Sequence, residues 1–178
     1  MKKFLSIAVQ LIIGGAVGAI GAALVGRYLP SFETAWAIPM TVLVFVASFL
    51  VHIILHEGGH LVCGLLSGYR FVSFRIGSRI LIKSKGRYCL KKFNIPGTGG
   101  QCLLDPPDVD ARGDFPAKLY NLGGGLSNLL FSAAALVLVE ATRNPVVAMV
   151  LLPFALLGTG LGLLNLIPLK VSGIANDG

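Results

Sequence analysis

Charged side chains are scarce in this chain of 178 residues: 13% are Asp, Glu, Lys or Arg, and 54% are hydrophobic. Ordinary soluble domains carry about 25% charged residues. The mean hydropathy of +0.80 also lies well outside the range of such domains. This shortage of charge excludes an ordinary soluble protein and favours a membrane protein.

Cysteine is scarce as well, with three residues at Cys63, Cys89 and Cys102. Disulfide frameworks are built from even numbers of cysteines at regular spacings, and this chain has an odd number. We therefore expect no disulfide framework.

Four apolar runs are each long enough to cross the hydrocarbon core of a bilayer, which takes about 20 helical residues. They predict transmembrane helices at 4–26, 38–66, 119–140 and 146–169. The first run follows Lys2 and Lys3 as a cleaved secretory signal would, but it exceeds the usual apolar length of about 7 to 15 residues. We predict a retained helix in an all-α polytopic membrane protein, with the whole chain, 1–178, forming one membrane-embedded domain.

The basic residues are distributed unevenly, and the net charge is +7. All of the 15 Lys and Arg residues except Arg27 and Arg143 lie near the termini or between the second and third apolar runs. We therefore predict a multi-pass protein of the cell membrane. By the positive-inside rule, its two termini and its central loop lie in the cytoplasm, where thiols stay reduced. Attraction to anionic lipid accounts for the excess charge, so we expect the lipid bilayer as a partner and no nucleic acid.

The second apolar run carries the sequence His56-Glu57-Gly58-Gly59-His60, which satisfies H-E-x-x-H. Residues four apart lie on one face of a helix, so both imidazoles can reach one metal ion. We predict one Zn²⁺ per chain, with Glu57 acting on water as the general base. Polar residues inside a membrane helix are energetically costly, so we favour this interpretation over a polar cluster that only joins helices.

His52 lies on the same helical face, but it is about 12 Å from His60 along the helix axis, which is too far for a shared ion. We interpret His52 as a helix-packing residue or as a residue that supports a metal ligand. Cys63, about 10 Å from His56 along the axis, is interpreted as a small packing residue whose sulfur could compete for metal. The third ligand must come from another segment.

Near the end of the chain, Asn165-x-x-Pro168 followed by Asp177-Gly178 resembles the N-x-x-P…D-G motif of the site-2 proteases, a family of intramembrane zinc metalloproteases. The resemblance implies that Asp177 completes the zinc site with the two histidines. It also implies that Asn165 binds the oxyanion of the tetrahedral intermediate. Because a ligand one residue from a free end would fray, we expect either that the natural chain continues beyond Gly178 or that Asp177 is held in some other way.

A second stretch, residues 124–128, resembles the G-P-x-x-N motif of the same family, with Gly125 in place of the usual proline. Glycines allow this helix to approach the H-E-x-x-H helix closely. Asn128 is expected to form a hydrogen bond with a bound substrate strand or with a neighbouring helix.

Residues 70–105, between the second and third apolar runs, alternate in polarity through 74–82 and contain turn residues at 84–86, which predicts a small cytoplasmic or re-entrant β-hairpin region. Gly99 and Gly100 follow in a segment that resembles the glycine-bearing strand near the active site of site-2 proteases. The resemblance implies that both glycines bind substrate, and an exposed strand edge could hold an unwound peptide as an added strand. A flexible loop is the alternative.

Together the motifs predict a hydrolase of the site-2 protease type, a zinc metalloendopeptidase. Its substrate would be a transmembrane peptide or protein, such as a signal-peptide remnant, a peptide precursor or a membrane-tethered regulator, cleaved within or next to the membrane span. The alternative is a non-proteolytic membrane metal-binding protein or a transporter component. A transporter would show internal repeats or polar positions spread across several spans, and the sequence has neither. It leaves the oligomeric state open.

Overall fold

The computed structural model describes residues 2–28, 34–95, 98–108, 116–168, 170–171 and 174–175. In this part of the chain, the long helices are α1 (Lys2–Tyr28), α2 (Thr34–Leu66), α3 (Ala117–Thr142) and α4 (Pro145–Leu166). Each contains a stretch that is long and apolar enough to cross a membrane. The prediction of four long apolar helices is therefore confirmed.

Large apolar side chains remain exposed along these helices. Leu11 and Ile12 on α1 are each 70% exposed, and Leu130 and Val137 on α3 are 68% and 67% exposed. Apolar surface of this kind is unfavourable in water, whereas the hydrocarbon of a bilayer solvates it. The exposed surface thus supports the prediction of a multi-pass membrane protein.

The helices approach one another through glycines. Where α3 meets α4, a Cβ atom on Gly125 would lie 3.1 Å from the carbonyl oxygen of Gly162. Where α2 meets α3, a Cβ atom on Gly59 would collide with the carbonyl oxygen of Gly123. Helices can pack this closely only where side chains are absent or very small. As a result, the helix that carries the H-E-x-x-H motif lies directly against α3.

The connection between α3 and α4 is short, and its sequence explains why. Arg143 ends α3 in the left-handed region with a φ of 48°. The Asn144 side chain then accepts hydrogen bonds from the backbone N–H groups of Val146 at 2.8 Å and Val147 at 3.4 Å. Pro145 occupies the first helical position, where no backbone N–H is needed. These residues begin α4 immediately after α3 ends.

A small antiparallel sheet lies between α2 and α3 in the chain. Its strands are β1 (Arg70–Ile76), β2 (Arg79–Ser84), β3 (Arg87–Lys92) and β4 (Gly100–Asp105), in the order β3-β2-β1-β4. Lys85 and Gly86 have φ values of 49° and 77°, as a two-residue hairpin turn requires. The predicted hairpin is confirmed, but it belongs to a larger, four-stranded sheet in which β4 forms one edge. Two further short strands, β5 (Lys170–Val171) and β6 (Ile174–Ala175), pair with each other.

A buried cluster attaches the sheet to the helices. Tyr69, Cys102 and Leu104 form its centre, and Leu61 of α2 and Tyr120 of α3 pack against it. The Tyr120 hydroxyl donates a hydrogen bond to the carbonyl oxygen of Cys102 at 2.8 Å. Strand β4 is thereby held beside the part of α2 that carries the two motif histidines.

Candidate metal centre

The two motif histidines face each other from adjacent turns of α2. Nε2 of His56 lies 3.2 Å from Nε2 of His60. The ring centroids are 4.8 Å apart, and the ring planes meet at 83°. The four-residue spacing thus brings one nitrogen of each ring to a common point, as the sequence predicted for a shared ion.

The spacing of the two nitrogens fits a single tetrahedral ion. Two Zn–N bonds of about 2.05 Å that meet at about 109° place their nitrogens about 3.3 Å apart, close to the 3.2 Å observed between His56 and His60. Gly124 of α3 keeps the gap clear, because a Cβ atom there would lie 2.5 Å from Nε2 of His60 and 2.6 Å from Nε2 of His56. The residues present therefore suit a zinc ion in this position.

The backbone of α3 fixes the orientation of the His60 ring. Nδ1 of His60 lies 2.7 Å from the carbonyl oxygen of Tyr120. A carbonyl oxygen only accepts hydrogen bonds, so Nδ1 donates its proton to it. In the neutral ring, Nε2 then carries a lone pair directed toward His56, which is the protonation pattern that a metal ligand needs.

Glu57 borders the same space as the histidines. A cavity of about 210 Å³ opens here. Its walls are His56, Glu57 and His60 of α2, Gly100, Gln101 and Cys102 of β4, and Tyr120 and Asn121 of α3. A Cβ atom on Gly100 would lie 2.5 Å from Cγ and 2.7 Å from Oε1 of Glu57. The predicted general base and the predicted substrate-binding strand are therefore in contact.

A second cavity, of about 260 Å³, shares Glu57, His56 and Gly100 with the first and extends toward α4. Gly99 and Asn165 line it. The Asn165 amide donates a hydrogen bond to the carbonyl oxygen of Leu161 at 3.0 Å. The structure thus brings Asn165, Gly99 and Gly100 to the region around Glu57.

Asn128 is buried between two histidines. It is 1% exposed, and His52 is 0% exposed. Oδ1 of Asn128 lies 3.2 Å from Nδ1 of His52, and its Nδ2 lies 3.4 Å from Nδ1 of His56. Of the two partners expected for Asn128, a substrate strand or a neighbouring helix, the structure places its polar atoms against the helix α2.

The predicted third ligand, Asp177, lies outside the residues that the structure describes. Among the described residues, no group of three or more His, Cys, Asp or Glu side chains is close enough to hold a metal ion. Within this part of the chain, the centre therefore consists of the His56 and His60 pair, and ligation by Asp177 stays a prediction.

Cys102 lies in the wall of the first cavity, but its thiol is protonated at neutral pH. Burial, together with the nearby Glu57 carboxylate, raises the pKa of the Cys102 thiol to about 12. A thiol binds zinc as the thiolate. Cys102 therefore carries a protonated thiol in the metal-free protein.

Two residues that form hydrogen bonds with the walls of the first cavity were missed by the sequence analysis. Tyr120 holds both His60 and Cys102, but its bond to His60 uses a main-chain carbonyl, which leaves no signal in the sequence. Arg75 was counted only as part of the basic loop. In the structure it is 0% exposed, and its guanidinium donates hydrogen bonds to the carbonyl oxygens of Gly77 at 2.7 Å and Gly100 at 3.0 Å and to the hydroxyl of Thr98.

No protein-family model, curated protein or solved structure matches the chain. The residues and the geometry of the centre therefore carry the functional interpretation.

Proposed function

We propose that this chain is an intramembrane zinc metalloprotease that hydrolyses a peptide bond within or next to a transmembrane segment of its substrate. The observation that carries the proposal is the 3.2 Å separation of the two Nε2 atoms, with Glu57 bordering the same cavity. His56 and His60 would hold the ion, with Asp177 as the predicted third ligand. Bound zinc would supply a Lewis acid that polarises the water nucleophile and the scissile carbonyl.

Glu57 is the proposed general base and general acid. It would accept a proton from water and return it to the amine that leaves when the peptide bond breaks. Its position supports this role, since the carboxylate contacts Gly100 at the start of β4 and borders the cavity that His56 and His60 share. A peptide lying along β4 would therefore pass beside the carboxylate.

The edge of β4 is the proposed substrate-binding site. Among the described strands, β4 pairs only with β1. A substrate that adds as a further strand would be held in the extended form that peptide hydrolysis needs. We place the approach of the substrate at Gly99 and Gly100, because both glycines line the second cavity together with Glu57. The lack of side chains at the two glycines keeps the path to Glu57 open.

Asn165 is the proposed donor to the oxyanion. It lines the second cavity together with Glu57. The amide nitrogen has two N–H groups, and the bond to the Leu161 carbonyl uses one of them. The second N–H group can donate a hydrogen bond to the oxyanion that forms during hydrolysis. A single well-placed donor of this kind raises the rate about 100- to 1,000-fold.

The proposed setting is the cell membrane, with both termini and the four-stranded sheet on the cytoplasmic side. The basic residues of the sheet region support this orientation under the positive-inside rule. The partners would then be the surrounding lipid and a transmembrane peptide or protein that approaches β4 from the cytoplasmic half of the bilayer.

A matched pair of carboxylate variants tests the activity. The purified full chain, loaded with zinc, is incubated with a transmembrane peptide substrate and compared with Glu57→Gln and Glu140→Gln. Glu140 is 48% exposed in its side chain and pairs with Arg27, away from both cavities. We expect Glu57→Gln to lower kcat by about 100- to 10,000-fold and Glu140→Gln to leave it unchanged. Equal cleavage by the native chain and Glu57→Gln would overturn the proposal, whereas zinc binding without any cleavage would favour a non-proteolytic metal-binding protein.

A further inference from the structure

His52 and Asn128 connect the fourth helix to the candidate metal centre. Nε2 of His52 lies 2.9 Å from the carbonyl oxygen of Phe154 on α4. Nδ1 of the same ring lies 3.2 Å from the Asn128 amide on α3, and that amide lies 3.4 Å from Nδ1 of His56. A chain of three hydrogen bonds therefore runs from α4 through His52 and Asn128 to a proposed metal ligand.

The donors and acceptors in this series of hydrogen bonds can be assigned by starting from the Phe154 carbonyl. The Phe154 carbonyl only accepts, so Nε2 of His52 donates to it. In a neutral His52 ring, Nδ1 is then an acceptor and needs a donor from Asn128. In the structure the Asn128 oxygen faces His52, and a half-turn of the amide exchanges its oxygen and nitrogen without moving any other atom. After that half-turn, the oxygen of Asn128 faces Nδ1 of His56.

We propose that Asn128, held by His52, is a positioning residue for the metal ligand His56. In the metal-bound centre, Oδ1 of Asn128 accepts the Nδ1 proton of His56, which fixes the tautomer whose Nε2 lone pair points to the ion. Asn128 therefore acts on the ligand rather than on the substrate. This inference rests on the proposed function, since it requires His56 to bind a metal.

The arrangement of α3 supports this role. Tyr120, Gly124 and Asn128 are spaced by four residues and lie on one face of α3. Tyr120 supplies the oxygen that accepts the Nδ1 proton of His60, and Gly124 leaves room between the two Nε2 atoms. With Asn128 serving His56 in the same way, one face of α3 would orient both ligands and make space for the ion between them.

The fourth helix fixes the position of the His52 ring, which in turn holds Asn128. The Phe154 ring stacks on the His52 ring at 4.1 Å with 25° between the planes. A Cβ atom on Gly158 would collide with the His52 ring and with the Ser132 hydroxyl. Since His52 is 0% exposed, stacks on Phe154 and lies against the backbone of Gly158, packing opposes a rotation of its ring away from Asn128.

Metal affinity measured on the full chain in detergent tests the inference without any cleavage assay. Dissociation constants for Zn²⁺ are measured by competition with a chelator for the native chain, Asn128→Leu, Asn128→Asp and Ser127→Ala. Ser127 is the matched control, because its hydroxyl also joins α3 to α2, but through a hydrogen bond to the Leu55 carbonyl at 2.8 Å. Removing a group that orients a metal ligand typically weakens binding about 10- to 100-fold.

We expect Asn128→Leu to weaken zinc binding by that factor and Ser127→Ala to leave it unchanged. Asn128→Asp should recover most of the native affinity, because a carboxylate can only accept the Nδ1 proton of His56. Native affinity in Asn128→Leu, or an Asn128→Asp variant as weak as Asn128→Leu, would overturn the positioning role while leaving the proposed function intact. Failure of the native chain to bind zinc would overturn both.

A second measurement tests the inference without a variant of Asn128. The chain contains 3 histidines, so ¹⁵N-histidine NMR of the zinc-loaded protein can report each tautomer, with His52→Asn used for assignment. We expect the proton of His56 on Nδ1 and zinc on Nε2. A proton on Nε2 of His56 in the zinc-loaded protein would overturn the inference.

Discussion

The Cα atom of Gly124 faces the gap between the two imidazoles so closely that a Cβ atom would lie 2.5 Å from Nε2 of His60. A methyl group at this position would occupy the place of the proposed ion. We expect Gly124→Ala to lose most zinc binding while the helices remain folded, as measured by metal content and circular dichroism.

Gly160 provides the matched control for this variant. It lies on α4, and a Cβ atom there would meet nothing within 4 Å. Gly160→Ala should retain native zinc content and gain up to about 1 kcal/mol of stability, because alanine costs less backbone entropy than glycine in a helix. Native zinc content in Gly124→Ala would contradict the placement of the ion between the two rings.

The two glycines of the H-E-x-x-H motif should differ sharply in their tolerance of a methyl group. A Cβ atom on Gly59 would collide with the backbone of Gly123, whereas one on Gly58 would meet nothing within 4 Å. We expect Gly59→Ala to lower the free energy of unfolding by about 1–3 kcal/mol, the usual cost of overpacking. Gly58→Ala should be neutral or stabilising. Equal thermal midpoints for the two variants would show that α2 and α3 do not pack as closely as described.

Arg75 should stabilise the conformation of residues 98–100. Its buried guanidinium bonds to Gly100 and Thr98, and Arg75→Met would leave those groups without their charged donor. Hydrogen bonds to charged groups contribute about 1.5–3 kcal/mol. We expect a loss of that size in the local opening free energy, measured by hydrogen exchange at the start of β4. Arg79→Met, at an exposed position of β2, is the control, and equal exchange in both variants would exclude this role for Arg75.

The cysteines should differ in their reactivity toward N-ethylmaleimide. Cys102 is buried and Cys89 is exposed. The thiolate is the reactive form, and with the pKa of Cys102 raised to about 12, roughly one thiol in 10,000 is ionised at pH 8. We expect rapid labelling of Cys89 and very slow labelling of Cys102, whose rate should rise about tenfold per pH unit. Peptide mass spectrometry gives both rates, and comparable labelling of the two at pH 8 would contradict the burial of Cys102.

The sequence predicted the parts of this fold that depend on local patterns. The four helices follow from apolar runs too long for any other element, and the β2–β3 hairpin follows from alternation around Lys85 and Gly86. The convergence of His56 and His60 follows from helical geometry alone, since a spacing of four residues places them on one face.

The remaining features depend on contacts between distant segments, which local patterns do not encode. The pairing of β4 with β1 joins segments that have two other strands between them in the chain, so periodicity does not predict it. A buried Arg75 looks the same in the sequence as a solvated one. The hydrogen bonds that join Phe154, His52 and Asn128 require three helices to meet, and only the assembled bundle shows them.

The strand order places the cavity-lining strand and the exposed strand at opposite edges of the sheet. Strand β4 forms a wall of the cavity beside Glu57, whereas β3, at the opposite edge, has all of its residues exposed. Two strands lie between them, so additions at the Lys85–Gly86 turn would leave the cavity untouched. A fluorescent reporter or a regulatory module could be inserted at that turn to follow or control the protein without changing the residues around Glu57.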